Sequence, residues 1–266
     1  MRMKTSDFLK VSVKQKVAFR IKVLYKKTNF LFYKYLWHNL LFSLCVLLQV
    51  CLLCAAGSWA YPTYDCSNKA ADVVFVLDSS NSIWPLDFKK QTSFVRDVVG
   101  KFNVGPGPQQ TRVGVVTFGH DVWRQFNLNE KMDAAELTAA VEGIRHGNGR
   151  LTNTGGAINF VLDHMLTPEA GRRTNVNTVM VVITDGRSQK WLQTQEAAKR
   201  AHAANLTVFA IGVGRNLDLV ELSHIASDPD DEFLYMVDDF TALSSITNKL
   251  ALKACEGTFD KLLKFN

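Results

Sequence analysis

Four stretches of this chain are almost unbroken apolar runs: Asp72-Val-Val-Phe-Val-Leu-Asp78, Arg112-Val-Gly-Val-Val-Thr-Phe118, Thr178-Val-Met-Val-Val-Ile-Thr184 and Thr207-Val-Phe-Ala-Ile-Gly-Val213. A strand with one face in water alternates apolar and polar residues, so strands this uniformly apolar must be covered on both faces. Amphipathic segments lie between them. Phe88, Thr92, Val95, Val99 and Phe102 recur at helical spacing, as do Ile158, Leu162 and Met165, and near the end Phe240, Leu243, Thr247 and Leu250. Leu137, Val141 and Ile144 follow Asp133, which with Glu136 predicts a capping box. Val122-Trp-Arg-Gln-Phe-Asn-Leu128 alternates instead and follows a strand after Gly119-His120-Asp121, so it reads as the second arm of a hairpin at a sheet edge. Strands alternating with helices specify an α/β fold, a doubly wound and mostly parallel sheet with helices on both faces. At 266 residues the chain suffices for one sizeable core, and 47% hydrophobic with 21% charged residues excludes a disordered or collagenous protein.

In sheets of this kind ligands bind outside the carboxyl ends of the strands. Two of the runs end there in an aspartate: Asp78-Ser79-Ser80-Asn81-Ser82 and Thr184-Asp185-Gly186. Between them in sequence lies Asn148-Gly149-Arg150-Leu151-Thr152-Asn153-Thr154-Gly155-Gly156, a polar glycine-rich loop entering a helix. Each piece alone is an ordinary turn or strand exit. Together they bring two carboxylates and three hydroxyls to one edge, oxygen donors only, which suits a hard divalent cation such as Mg²⁺ or Mn²⁺ with a coordination position left open for an acidic group.

Asp-Ser-Ser-Asn-Ser-Ile, Leu-Thr-Asn-Thr-Gly, Val-Ile-Thr-Asp-Gly and Phe-Ala-Ile-Gly-Val-Gly214, in that order between Cys66 and Cys255, resemble the von Willebrand factor type A domain, including the inserted domains of integrin α chains. The chain is most similar to the domains of matrilins, non-fibrillar collagens and invertebrate matrix proteins. The resemblance implies a six-stranded sheet with one antiparallel edge strand, and a metal ion-dependent adhesion site made of Asp78, Ser80, Ser82, Thr152 and Asp185. It further implies that the hydroxyls and aspartates bind the metal directly or through water while a carboxylate of an extracellular partner, collagen or another matrix protein, completes the shell. Ser79 stands where many members carry glycine.

His146, Arg150 and Arg187 fall in the loops expected to rim the metal, where a basic rim would steer acidic ligands; loop charges that are simply solvated are the alternative. Trp84 and Pro85 follow the serine turn, either as an exposed contact or as first-turn packing of a helix.

Leu40 to Ala56 is uncharged and is followed by Gly57, Ser58, Trp59 and Ala60, an apolar core and small-residue site that read as a signal peptide cut after Ala60. The rival is an uncleaved signal anchor, since the preceding segment is strongly basic. Residues 1–39 hold ten Lys/Arg against one acid, leaving 21 against 24 for residues 61–266, so the formal charge of +6 belongs to the leader and the mature part is net −3. That balance, with no basic stripe, argues against nucleic acid as a partner. Cys45, Cys51 and Cys54 lie in the leader, whereas Cys66 and Cys255 bracket the folded part. An even pair in an exported chain favours a disulfide over two unrelated buried thiols, and the flanking pair is similar to the one that ties the termini of several extracellular family members. Asn205-Leu206-Thr207 is a glycosylation sequon, and Asn205 also suits a left-handed residue after a helix.

The expected organisation is a leader at 1–60, a linker with Cys66 at 61–71, the type A domain at 72–255 and a tail at 256–266. An enzyme is not expected: no histidine belongs to the motif set, no G-x-S-x-G turn occurs, hydroxyl ligands supply no general base, and no histidine pair has zinc-ligand spacing. The sequence therefore points to a secreted matrix or adhesion module, with a matrix scaffold making metal-independent contacts and a membrane-anchored adhesion protein as the alternatives.

Overall fold

Val73 to Leu77 carries apolar side chains on both faces of the backbone, and the computed structural model, which describes residues 69–256, buries all of them in the middle of a sheet. This strand, β1 (Ala71–Asp78), pairs in parallel with β2 (Arg112–Phe118) on one side and β4 (Asn177–Thr184) on the other. Val73 stands opposite Val113 and Val179, so the apolar runs lie level across the sheet. β5 (Thr207–Val213) and the short β6 (Leu234–Val237) extend it in parallel, and β3 (Val122–Phe126) closes the other edge antiparallel to β2. The order is β3-β2-β1-β4-β5-β6. β3 is the strand expected from its alternation, and only its last residue is fully buried.

Helices α1 (Pro85–Val99), α2 (Ala134–Glu142), α3 (Thr154–Phe160), α4 (Trp191–Ala203), α5 (Leu219–Ile225), α6 (Asp230–Phe233) and α7 (Thr247–Glu256) complete the domain. α1 packs with α2 and α7, while α4 packs with α3 and α5. These two groups leave both faces of β1 covered. Phe75, Leu77 and Ile183 lie wholly inside; truncating a side chain such as Phe75 to alanine costs about 3–5 kcal/mol.

Local signals are met in part. Asp133 caps α2 through the backbone N–H groups of Ala135 and Glu136 at 2.9 and 3.0 Å. The Glu136 side chain, however, accepts from Lys131 at 2.7 Å, so only one arm of the expected capping box forms. The Ile158–Leu162–Met165 stripe runs from α3 into a single π-helical turn, Val161–Met165. The expected last helix is two pieces, a 3₁₀ segment at Ala242–Ile246 followed by α7. The sixth strand that the resemblance implies is β6, which the residue pattern did not locate, and helices α4 and α5 were likewise not read from periodicity. α4 buries Thr194, Ala197, Ala198 and Ala201, a stripe of small residues with a weak apolar signature. Asn205 adopts φ +57° just after α4, as a left-handed residue there should.

The leader, the small-residue site ending at Ala60, Cys66 and the tail beyond residue 256 lie outside the described residues. Among the described residues no helix is long and apolar enough to cross a membrane.

Candidate metal centre at the carboxyl edge of the sheet

β1 and β4 are neighbours, so their terminal aspartates emerge side by side at one edge. Asp78 is fully buried. Its Oδ1 accepts the Ser80 backbone N–H at 2.8 Å and its Oδ2 the Thr184 hydroxyl at 2.6 Å, while Gln91 donates to its backbone carbonyl at 3.3 Å. Burial pushes the Asp78 carboxyl up to about 6, against hydrogen bonds from Thr184 and Ser80 that favour the charged form. The turn that follows returns Ser80 and Ser82 to the same side. Ser80 Oγ lies 2.9 Å from Ser82 Oγ, and the Ser82 hydroxyl donates to Asp185 Oδ1 at 2.8 Å. Burial also raises the Asp185 carboxyl, opposed by that Ser82 hydrogen bond.

The loop carrying Thr152 is fastened to the serine turn by its backbone. Gly149 N–H donates to the Ser79 carbonyl at 3.1 Å, and Asn81 N–H donates to the Gly149 carbonyl at 2.7 Å. Gly149 also lies against the backbone of Gly119, an approach that needs glycine on both sides: a Cβ on Gly149 would come within 2.5 Å of the Gly119 α-carbon. Thr152 is buried, and its N–H donates to Gln189 Oε1 at 2.5 Å, which ties it to the segment following Asp185. The three loops holding Asp78, Ser80, Ser82, Thr152 and Asp185 are thus joined to one another.

A divalent cation fits this donor set. All the side-chain donors are oxygens, two are carboxylates made costly by desolvation, and among the described residues no lysine or arginine hydrogen-bonds to either carboxylate. Among the described residues no group of three or more His, Cys, Asp or Glu side chains is gathered for a metal, so serine and threonine hydroxyls would have to supply most of the protein ligands. Oxygen-only coordination of that kind suits Mg²⁺ or Mn²⁺.

The three basic residues expected at the rim are placed differently from one another. His146 is half-buried, packs edge-on against Phe88 with ring centroids 5.2 Å apart, and donates from Nε2 to the Ser80 carbonyl at 3.1 Å. Its ring pegs the loop in place and is not free for a ligand. Arg187 is engaged with Asp218, Nε to Oδ2 at 3.1 Å. Of the three, Arg150 alone is exposed without a hydrogen-bond or ion-pair partner among the described residues, in a cleft of ≈ 530 Å³ that it shares with His120, Trp123 and Leu151. Trp84 is 73% exposed, which favours the contact reading over first-turn packing, while Pro85 opens α1.

Sequence reasoning did not find the residues that hold the donors. Ser79, in the position where glycine is common, accepts the Gly147 N–H through its hydroxyl. Thr184 and Gln189 position Asp78 and Thr152. Thr184 had a signal, since it immediately precedes Asp185; Gln189 had none, because its partner lies 37 residues away.

Comparison with known proteins identifies the family and the fold. The profile of the von Willebrand factor type A domain matches residues 72–249. Matrilin-1 of Gallus gallus is 36% identical over 220 residues, covering 80% of this chain and 42% of that protein, and the collagen alpha-1(XII) chain of Notophthalmus viridescens is 33% identical, covering 72% of this chain and 20% of that one. The chain therefore spans less than half the length of these relatives. Among solved structures, proximal thread matrix protein 1 from the mussel byssus, determined with zinc in its MIDAS motif, superposes with a TM-score of 0.65 at 27% identity, covering 73% of this chain and 47% of that one. The matrilins and collagen XII are secreted proteins of the extracellular matrix, and the same localisation holds for this chain.

Proposed function

The chain belongs to the von Willebrand factor type A family, and from that premise we propose that it is a non-catalytic matrix-binding module that grips an acidic group of an extracellular protein, collagen or another matrix component, through a divalent cation. The observation that carries this reading is the joined oxygen cluster, in which Asp78 and Asp185 are desolvated and, among the described residues, no cationic side chain is bonded to them. Ser80, Ser82, Thr152 and Asp185 would hold Mg²⁺ or Mn²⁺, with Asp78 behind them. A cation bound there supplies a positive centre of high charge density that accepts a carboxylate oxygen. Asp78 itself is fixed by Thr184 and the Ser80 N–H, so its negative charge stays directed at the cluster without reorganisation. The Ser79 hydroxyl and the His146 ring hold the serine turn and the threonine loop at one spacing.

The flanking features fit an exported protein. Cys255 is buried and engaged in a disulfide, which supports its pairing with Cys66. Asn205 is exposed, as a glycosylated residue must be. Removal of the leader after Ala60 belongs to the same proposal.

The test is binding of the secreted protein to immobilised collagens, laminin, fibronectin, chitin and sulfated glycans in Mg²⁺ and then in EDTA, with Asp185→Ala alongside. Binding to at least one protein ligand that falls to background in both EDTA and the variant is the expected result. Binding indifferent to both would overturn the metal-bridged reading in favour of a scaffold whose contacts lie elsewhere.

A further inference from the structure

Three residues beyond Asp185, the loop is fastened to a second acidic group: the Ser188 N–H donates to Glu221 Oε2 at 3.0 Å. Glu221 lies in the first turn of α5 and is 8% exposed, and its other oxygen, Oε1, is buried with no hydrogen-bond partner among the described residues. A carboxyl group with one oxygen left unpartnered is a costly group to bury, and a charged donor is what satisfies it best. Glu221 lines a cleft of ≈ 250 Å³ together with Arg187, Trp191, Gln195, Asp218 and His224. Asp218 caps α5 with Oδ1, which accepts from Val220 and Glu221 at 3.1 and 3.2 Å, and its Oδ2 faces Arg187. Gln195 and His224 are in contact at 3.2 Å, and the Trp191 indole is 45% exposed on the same wall.

Two carboxylates beside an aromatic face form a receptor for a guanidinium or ammonium group, through charge-assisted hydrogen bonds and cation–π attraction. The protein's own Arg187 already brings a guanidinium to the mouth of the cleft, which demonstrates the shape that fits. That pair is open to water, with Arg187 59% exposed, and exposed ion pairs are worth about 0–1 kcal/mol, so a ligand can displace it readily.

We infer that this cleft is a subsite for a basic side chain, arginine above all, supplied by the same partner segment whose acidic group goes to the metal centre. This rests on the metal-bridged reading for the identity of the partner, but the subsite is made of residues outside the metal cluster. Arginine is preferred to lysine because a planar fork can address Asp218 and Glu221 while stacking on Trp191. The partner segment is therefore zwitterionic, a carboxylate with a guanidinium close by, and an acidic residue in an apolar or polyanionic setting fits the paired sites less well.

The experiment separates the subsite from the metal. N-acetyl-arginine-N-methylamide is titrated into the secreted protein in EDTA, following the Trp191 indole N–H in a ¹⁵N spectrum, with the uncharged citrulline isostere as control. Saturable shifts with the arginine derivative alone are expected. Glu221→Gln should weaken binding about tenfold, the size of a hydrogen bond to a charged group. Arg187→Ala, on an exposed side chain, should tighten it about two- to fivefold by freeing Asp218, the size of one exposed ion pair. Equal responses to arginine and citrulline, or arginine binding unchanged by both substitutions, would overturn the subsite. If binding to matrix ligands proves insensitive to EDTA while the arginine titration behaves as expected, the metal-bridged reading fails and the subsite stands.

Discussion

Asp72 and Asp78 lie at opposite ends of β1, and both are completely buried. At the amino end, Asp72 receives Arg173 as a full partner: Oδ1 accepts from Nε at 2.9 Å and Nη2 at 2.7 Å, and Oδ2 accepts the Arg173 backbone N–H at 2.7 Å. At the carboxyl end, Asp78 receives a hydroxyl and an amide and, among the described residues, no cationic side chain. The same side chain on the same strand thus meets a cationic partner at one end and only neutral donors among the described residues at the other. On the metal-bridged reading the lower aspartate is finished by folding and the upper one by a bound ion, an asymmetry that would separate a structural carboxylate from a binding one.

The contrast can be broken most severely at the closed end. Arg173→Ala strands the Asp72 charge and should cost about 3–5 kcal/mol in urea unfolding, as removal of one partner from a buried pair does. A loss below about 1 kcal/mol would mean that water reaches Asp72 and that the two ends differ less than their geometry implies.

The open end should respond to pH in a direction that sharpens the comparison. The folded protein binds a proton on Asp78 up to about pH 6, whereas the unfolded chain releases it near the ordinary value of 3.8. The folded state therefore holds more protons in that window, and the stability contributed by Asp78 in the metal-free protein falls as pH rises from about 4 through 6, by up to about 3 kcal/mol. Asp78→Asn should flatten this loss, as should saturating Mg²⁺ above pH 6. A metal-free unfolding profile identical for wild type and Asp78→Asn across that range would remove the claim that Asp78 carries an uncompensated charge.

A smaller effect is expected at the support around the open end. Ser79→Gly deletes the acceptor of the Gly147 N–H and should cost about 1 kcal/mol, seen as faster hydrogen exchange at Gly147 with little change in global unfolding. Unchanged exchange there would show that the Gly149 backbone pairing alone holds the loop.

The carboxyl edge was largely legible because it depends on local order: apolar runs set the strands, and aspartates at their ends are brought together by any parallel pairing of β1 with β4. The amino edge was not, since Asp72 meets Arg173 across 101 residues and neither sits in a recognisable pattern. β6 escaped for a different reason. It is a four-residue edge strand in which only Tyr235 and Val237 are buried, too short for a period to show. Of the basic residues expected at the rim, Arg150 alone stayed unpaired, because loop charges find partners such as Asp218 that only the tertiary fold supplies. The Glu221 cleft had no sequence signal at all, as its carboxylate is defined by the backbone N–H of Ser188, 33 residues earlier.

β1 lies at the centre of the sheet, hydrogen-bonded along its length to β2 and β4, and ends at the loops of the candidate metal centre. On the metal-bridged reading, a ligand gripped beside Asp78 and pulled against the chain that leads into Ala71 stretches β1 between its own two ends. The load then runs through the covalent backbone of that strand, while the ladders to β2 and β4 hold it in register and carry little of the force. The end of the central strand would thus be a tether point whose pull need not pass through the hydrogen bonds of the sheet.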